Sequence, residues 1–111
     1  LENLIEGTLK PGQKVVVIED LVSTGGSSLK AVEAIRNAGC EVVGMVAIFT
    51  YGFPVAVKRF NDAGVKLITL SNYNSMLEAA IDIDYIKNED LETLKEWRKD
   101  PANWVHKSQA D

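Results

Sequence analysis

Val15-Val16-Val17-Ile18-Glu19-Asp20-Leu21-Val22-Ser23-Thr24-Gly25-Gly26-Ser27-Ser28 is where the chain changes from one periodicity to another. Val15–Ile18 is an unbroken β-branched run, preceded by the turn signal Lys10-Pro11-Gly12-Gln13. A continuous apolar run, as opposed to an alternating one, predicts a strand covered on both faces and ending before the two acids. From Ser27 to Ala38 the pattern is helical: Leu29, Val32 and Ile35 recur on one side, with Lys30, Glu33 and Arg36 elsewhere on the wheel. Gly39 follows, where a helix end needs positive φ.

The same plan repeats downstream. Val42–Phe49 predicts a second strand, Thr50-Tyr51-Gly52-Phe53 a turn, and Pro54 the first turn of a helix carrying Val57 and Phe60 and ending at Ala63-Gly64. Val65–Leu70 predicts a third strand. The order is βαβαβ, and right-handed crossovers make it a parallel α/β sheet with covered faces. Ser71–Ser75 can cap a short helix holding Met76, Leu77, Ala80 and Ile81. A last helix is expected over 88–99, acidic at its start and basic at its end, with Leu91 and Leu94 as its buried stripe and Pro101 as its stop. Trp104 is the expected anchor of a tail over 100–111. The core lies at about 12–83.

The chain has 111 residues, 46% hydrophobic and 25% charged, which is one globular domain over 1–111. Twelve basic residues against sixteen acidic leave a net charge of −4. That argues against nucleic-acid or anionic-membrane partners, which want a basic excess. A phosphorylated small molecule stays open, because backbone N–H groups bind phosphate without Lys or Arg. The single cysteine, Cys40, can form no internal disulfide, so a reducing, cytoplasmic setting is expected. No apolar run approaches the roughly 18 residues of a membrane span. The first residues lack a signal-peptide plan and a starting Met, so the chain is expected to be a piece of something longer.

In an open parallel sheet, ligands bind beyond the carboxyl ends of the strands, and Glu19–Ser28 occupies that place. Carboxylates only accept hydrogen bonds, so Glu19 and Asp20 suit a vicinal diol, which donates two. Gly25 and Gly26 let the backbone approach a ligand and curl its N–H groups inward. Ser23, Thr24 and Ser27 add donors, and the helix N-terminus adds free N–H groups and its dipole. Diol acceptors followed by phosphate donors match a ribose 5-phosphate. The plainer reading is a Ser/Thr/Gly-rich helix cap beside two solvated acids.

Val15–Ser27, reading VVVIEDLVSTGGS, resembles the phosphoribosyl-pyrophosphate (PRPP) signature of type I phosphoribosyltransferases. Within that family it is most similar to the orotate-using members, with Gly12-Gln13-Lys14, Ser28-Leu29 and Gly44–Tyr51 fitting the same pattern. The resemblance covers about Leu4–Ala80. It implies a type I phosphoribosyltransferase-like, Rossmann-like core whose N-terminal part and hood lie outside this chain. It implies that Glu19 and Asp20 bind the ribose hydroxyls of PRPP and stabilise transition-state charge. Leu21, Val22, Ser23, Thr24, Gly25, Gly26 and Ser27 would complete the PRPP site, Ser23 also touching orotate. Mg²⁺ would be carried by PRPP, with no all-protein metal site. The implied reaction joins ribose 5-phosphate to orotate in pyrimidine synthesis, in a homodimeric full-length enzyme. This chain alone is expected to be inactive, because the pyrophosphate turn and mobile basic loop of the family precede the signature. Some members hold the orotate carboxylate with an Arg beyond the second strand; Phe49–Pro54 has no basic residue, and Lys58 and Arg59 follow on the helix. Other bases, purine or uracil, and a non-catalytic PRPP sensor are the alternatives.

The remaining chemistry-bearing residues read as structural. Cys40 is expected to pack as a small hydrophobe. His106 reads as solvent-exposed, and Asp82-Ile83-Asp84 as a polar loop. Trp97 and Trp104 are expected to pin the last helix and tail, and Lys95, Arg98 and Lys99 to form a solvated face.

Overall fold

The structure, a computed structural model, describes residues 7–104. Three strands alternate with helices: β1 (Lys14–Val22), α1 (Gly26–Asn37), β2 (Glu41–Thr50), α2 (Pro54–Ala63) and β3 (Leu67–Asn72). Two further helices, α3 (Tyr73–Asp82) and α4 (Asn88–Lys99), and a 3₁₀ turn at Pro101–Asn103 complete the described chain. The sheet order is β1-β2-β3, and both pairings are parallel. This is the βαβαβ α/β core that the periodicity predicts.

The core follows from the register. Val17 pairs with Met45, and Met45 with Leu67, so one layer of apolar side chains crosses the sheet. Val32 of α1 and Ala56 and Phe60 of α2 bury against that face, with Leu29 and Ile35 half-buried beside them. The Ala-Gly echo is structural: Gly39 and Gly64 both have positive φ, at 85° and 66°, and each ends a crossover helix. Asn72 caps α3, its side chain accepting from the Ser75 N–H at 2.9 Å.

Several expectations are corrected. β1 does not stop at Ile18; pairing continues through Leu21↔Phe49 and Val22↔Thr50, so the two acids lie inside the strand. β3 starts two residues late, because the Val65 N–H bonds back to the Phe60 carbonyl and closes the end of α2 instead. On α2 it is Ala56, not Val57, that joins Phe60 in the core; Val57 is 55% exposed. On α3 Tyr73 and Leu77 are buried, whereas Met76 is exposed. No residue of α4 is fully buried; Leu91 and Leu94 are half-buried. Trp104, the expected anchor of the tail, is 37% exposed. His106 and the tail beyond Trp104 lie outside the described residues.

The main correction concerns sheet coverage. Ile18 and Leu70 are 73% and 76% exposed, and Val16, Val43, Ile48 and Ile68 are exposed with them. Successive right-handed crossovers that advance in one direction, β1 to β2 to β3, put both helices on the same side. α1 and α2 therefore share one face, and the other face is left bare. The unbroken apolar run does encode two faces to be buried, and the described residues cover one.

Candidate functional site

β1 and β2 end side by side, and their following turns are tied together there. The Val22 carbonyl accepts from the Tyr51 N–H at 3.2 Å and from Thr50 Oγ1 at 3.4 Å, and the Gly52 N–H donates to Thr50 Oγ1 at 3.1 Å. The turns Ser23–Gly26 and Tyr51–Phe53 are thus neighbours at the carboxyl edge of the sheet, where α/β folds bind ligands.

The first turn is polar. Gly25 is the N-cap of α1 at φ 84°, and its carbonyl accepts from the Leu29 N–H at 3.0 Å. It must be glycine for two reasons. L-residues are strained at that φ. A β-carbon there would also stand 3.0 Å from Phe60 Cε2. No side chain caps α1, so the hydroxyls of Ser23, Thr24 and Ser27 are not used on the helix's free N–H groups. All three residues are exposed. An uncapped helix N-terminus behind a glycine turn leaves several N–H groups for an anion.

The carboxylates are adjacent but differ in exposure. Glu19 is half-buried and pairs with Ala47, which lies in the core. Asp20 is exposed, its Oδ1 accepting from the Leu21 N–H at 2.7 Å.

The second turn is aromatic. Tyr51 and Phe53 stack at 5.0 Å with rings nearly parallel, and Trp97 of α4 meets both edge-on at 6.0 and 5.6 Å. Tyr73 closes the group 5.7 Å from Trp97 and donates its hydroxyl to the Leu94 carbonyl at 3.1 Å. Burial pushes the Tyr73 phenol above its ordinary 10.0; the nearby Arg98 charge pulls the other way, and Tyr51 adds a smaller push upward. Trp97 pins the last helix as expected.

Two arginines in these contacts escaped sequence reading. Arg59 of α2 donates through Nη1 to the Thr24 carbonyl at 3.1 Å. Arg98 of α4 donates through Nη1 to the Gly52 carbonyl at 3.0 Å, with its Nε buried and without a partner among the described residues. Arg98 is therefore not part of a solvated face. The contacts span 35 and 46 residues, so no local pattern could announce them. A cavity of about 360 Å³ lies between the turns, with Thr24, Phe53, Pro54, Arg59 and Lys99 in its wall. Cys40 is buried away from the turns, its Sγ 3.3 Å from the Lys10 carbonyl, which fits plain packing. Asp82 ends α3, and Asp84 follows with φ 59°; both are exposed. No described helix is long and apolar enough to cross a membrane.

Residues 4–84 match the family model described as the phosphoribosyl transferase domain. The chain belongs to the phosphoribosyltransferase family. The resemblance carried by Val15–Ser27 is thereby confirmed, and the parallel core with it. Among curated relatives, an orotate phosphoribosyltransferase of Bacteroides fragilis is 68% identical over 94% of this chain and 49% of its own length. A Porphyromonas gingivalis protein of the same name is 62% identical over 94% of this chain and 50% of its own. The chain thus spans about half the length of the curated relatives it matches. Among solved structures, Leishmania donovani UMP synthase superposes with a TM-score of 0.70 at 29% identity, over 84% of this chain and 21% of that one. Mycobacterium tuberculosis orotate phosphoribosyltransferase, solved in complex with PRPP, superposes at 0.53 with 32% identity, over 60% and 41%.

Proposed function

We propose that this phosphoribosyltransferase chain is the PRPP-binding part of an orotate phosphoribosyltransferase acting in pyrimidine synthesis. One observation carries the reading: the N-terminus of α1 starts at a left-handed glycine, Gly25, with the exposed hydroxyl residues Ser23, Thr24 and Ser27 around it. In this reading the N–H groups and hydroxyls of Ser23–Ser27 hold the 5-phosphate, and Leu21 and Val22 carry the strand into that cradle. Asp20, the exposed carboxylate, accepts from the ribose diol; Glu19, the half-buried one, completes the acceptors and the negative field. Ser23, at the start of the turn, also touches orotate. As the bond from the anomeric carbon to pyrophosphate breaks and the bond to N1 of orotate forms, positive charge develops on the sugar. Fixed carboxylates close to that charge favour the transition state more than the ground state. Holding phosphate and diol at once also fixes the sugar for attack.

The donor set fits a magnesium ion brought in by the substrate. Such an ion keeps waters and substrate oxygens as its ligands, with Asp20 and Glu19 beside it through the ribose diol they accept from. Carried by PRPP, Mg²⁺ would offset charge on the pyrophosphate as it leaves. The reading carries with it a cytoplasmic setting, supported by the free buried thiol of Cys40, and a homodimer for the full-length enzyme.

The test has two parts. Thermal unfolding of this chain with PRPP and Mg²⁺ is expected to rise in melting temperature, and Asp20→Ala to abolish the rise. The full-length protein is expected to release pyrophosphate with orotate and not with uracil or purine bases, while this chain alone turns nothing over. Release with another base reassigns the substrate. Binding without turnover by the full-length protein makes it a PRPP sensor, and no response of either protein returns the turn to a plain helix cap.

A further inference from the structure

The turn Ser23–Gly26 is not held by its own side chains. Neither Ser23, Thr24 nor Ser27 caps α1, and the turn contains no Lys or Arg. What lies against it is one face of α2, at the helical spacing 56, 59, 60. A β-carbon at Gly25 would lie 3.0 Å from Phe60 Cε2 and 3.7 Å from Ala56 Cβ, so these side chains floor the turn. Arg59, between them, donates through Nη1 to the Thr24 carbonyl at 3.1 Å. The same Nη1 would lie 3.4 Å from a β-carbon at Gly26, so the guanidinium lies against the turn at Gly26 as well as at the Thr24 carbonyl. α2 is exposed along Lys58 and Arg59, which leaves Arg59's remaining donors free of the core.

We infer that Arg59 is a positioning residue for the phosphate turn: it fixes the Thr24 peptide so that the N–H groups of Gly25, Gly26 and Ser27 keep one orientation towards a phosphomonoester ligand, and it sets a cation beside the turn. The inference rests on the phosphate reading of the turn. The physical reason is orientation. The carbonyl of Thr24 shares its peptide plane with the N–H of Gly25, so a guanidinium bond to the one aims the other. A glycine pair without a cap is otherwise free to rotate, and a cradle that must order itself on binding loses affinity. Arg suits the role because its planar fork can hold a carbonyl and still present donors to an anion.

The experiment is ¹⁵N relaxation of the ligand-free chain, comparing wild type with Arg59→Ala and Arg59→Lys, followed by titration with inorganic phosphate. In Arg59→Ala the order parameters of Gly25, Gly26 and Ser27 are expected to fall from about 0.85 towards 0.6, with those of Val32 and Ile35 unchanged. Arg59→Lys, which keeps a donor and the charge, is expected to restore most of the order. Phosphate affinity is expected to fall about five-fold in Arg59→Ala and to recover in part in Arg59→Lys. Unchanged order at the turn in Arg59→Ala overturns the inference. So does a loss of order spread along all of α1, which marks Arg59 as general support. A wild-type chain that binds no phosphate counts against the phosphate reading, while the relaxation result still decides whether Arg59 positions the turn.

Discussion

The two turns at the carboxyl edge are built on one plan and filled with opposite chemistry. Each follows a parallel strand, each has a glycine at positive φ, 84° at Gly25 and 65° at Gly52, and each is held at a carbonyl by an arginine from a later helix. The first is polar, with Ser23 and Thr24 exposed and no side chain capping the helix behind it. The second packs Tyr51 and Phe53 against Trp97 and Tyr73. The difference teaches where rigidity comes from. An aromatic turn is held by buried area and ring geometry. A turn that keeps its N–H groups free for a ligand cannot bury them, so its order comes from the glycine conformation and from outside braces.

Substituting the two glycines should break the symmetry first. Gly25→Ala adds left-handed strain to a 3.0 Å contact with Phe60 and is expected to cost about 3 kcal/mol in denaturant melts. Gly52→Ala meets only an ordinary 3.5 Å contact with Arg98 Nη1 and is expected to cost about 1 kcal/mol. Equal losses would mean that Phe60 yields and does not floor the turn.

Removing Trp97 tests the aromatic side alone. Trp97→Ala is expected to cost about 2–3 kcal/mol, below the value for a fully buried ring because Trp97 is half-buried. It should also loosen Tyr51 and Phe53 while leaving phosphate affinity within two-fold, roughly the scatter of distant sites. A large loss of phosphate affinity would show that the two turns are one unit.

The Tyr73 phenol sharpens the comparison through pH. Burial raises its pKa in the fold, so its contribution is fully present below pH 10.0 and is lost as pH rises through the folded value. Stability is therefore expected to decline above about pH 10, and Tyr73→Phe to flatten that decline. The same variant gives up the bond to the Leu94 carbonyl, about 1 kcal/mol at neutral pH. The smallest effect is expected at Asp20. Asp20→Ala should leave ligand-free stability within about 0.5 kcal/mol, since the side chain is exposed. A large loss there would make Asp20 a structural residue and weaken its assignment to the ribose diol.

The bare face of the sheet belongs to the same lesson about partners. Ile18, Ile48, Ile68 and Leu70 form an apolar surface that one-directional crossovers cannot cover. The run Val15–Ile18 announces two buried faces because strand composition records the environment of the finished fold. These 111 residues match only about half the length of their relatives, and the composition is complete where the cover is not.

Much of this was legible in the residues themselves. The βαβαβ order is readable because the apolar period changes at Ser27, Pro54 and the two Ala-Gly pairs, all local signals. The candidate turn is readable because glycines, hydroxyls and acids sit within ten residues of one another, at a strand-to-helix junction. Three matters needed the folded chain. The acids lie inside β1, because pairing with β2 carries the strand on to Val22. The hydroxyls are not spent on a cap, because the backbone at Gly25 starts α1 without them. Arg59 and Arg98 hold the turns because α2 and α4 return to the same edge. Local sequence determines the period, the breaks and the chemical inventory, since these depend on neighbours within a turn or two. Which distant cation meets which carbonyl depends on how helices lie across the sheet, and only tertiary packing decides that.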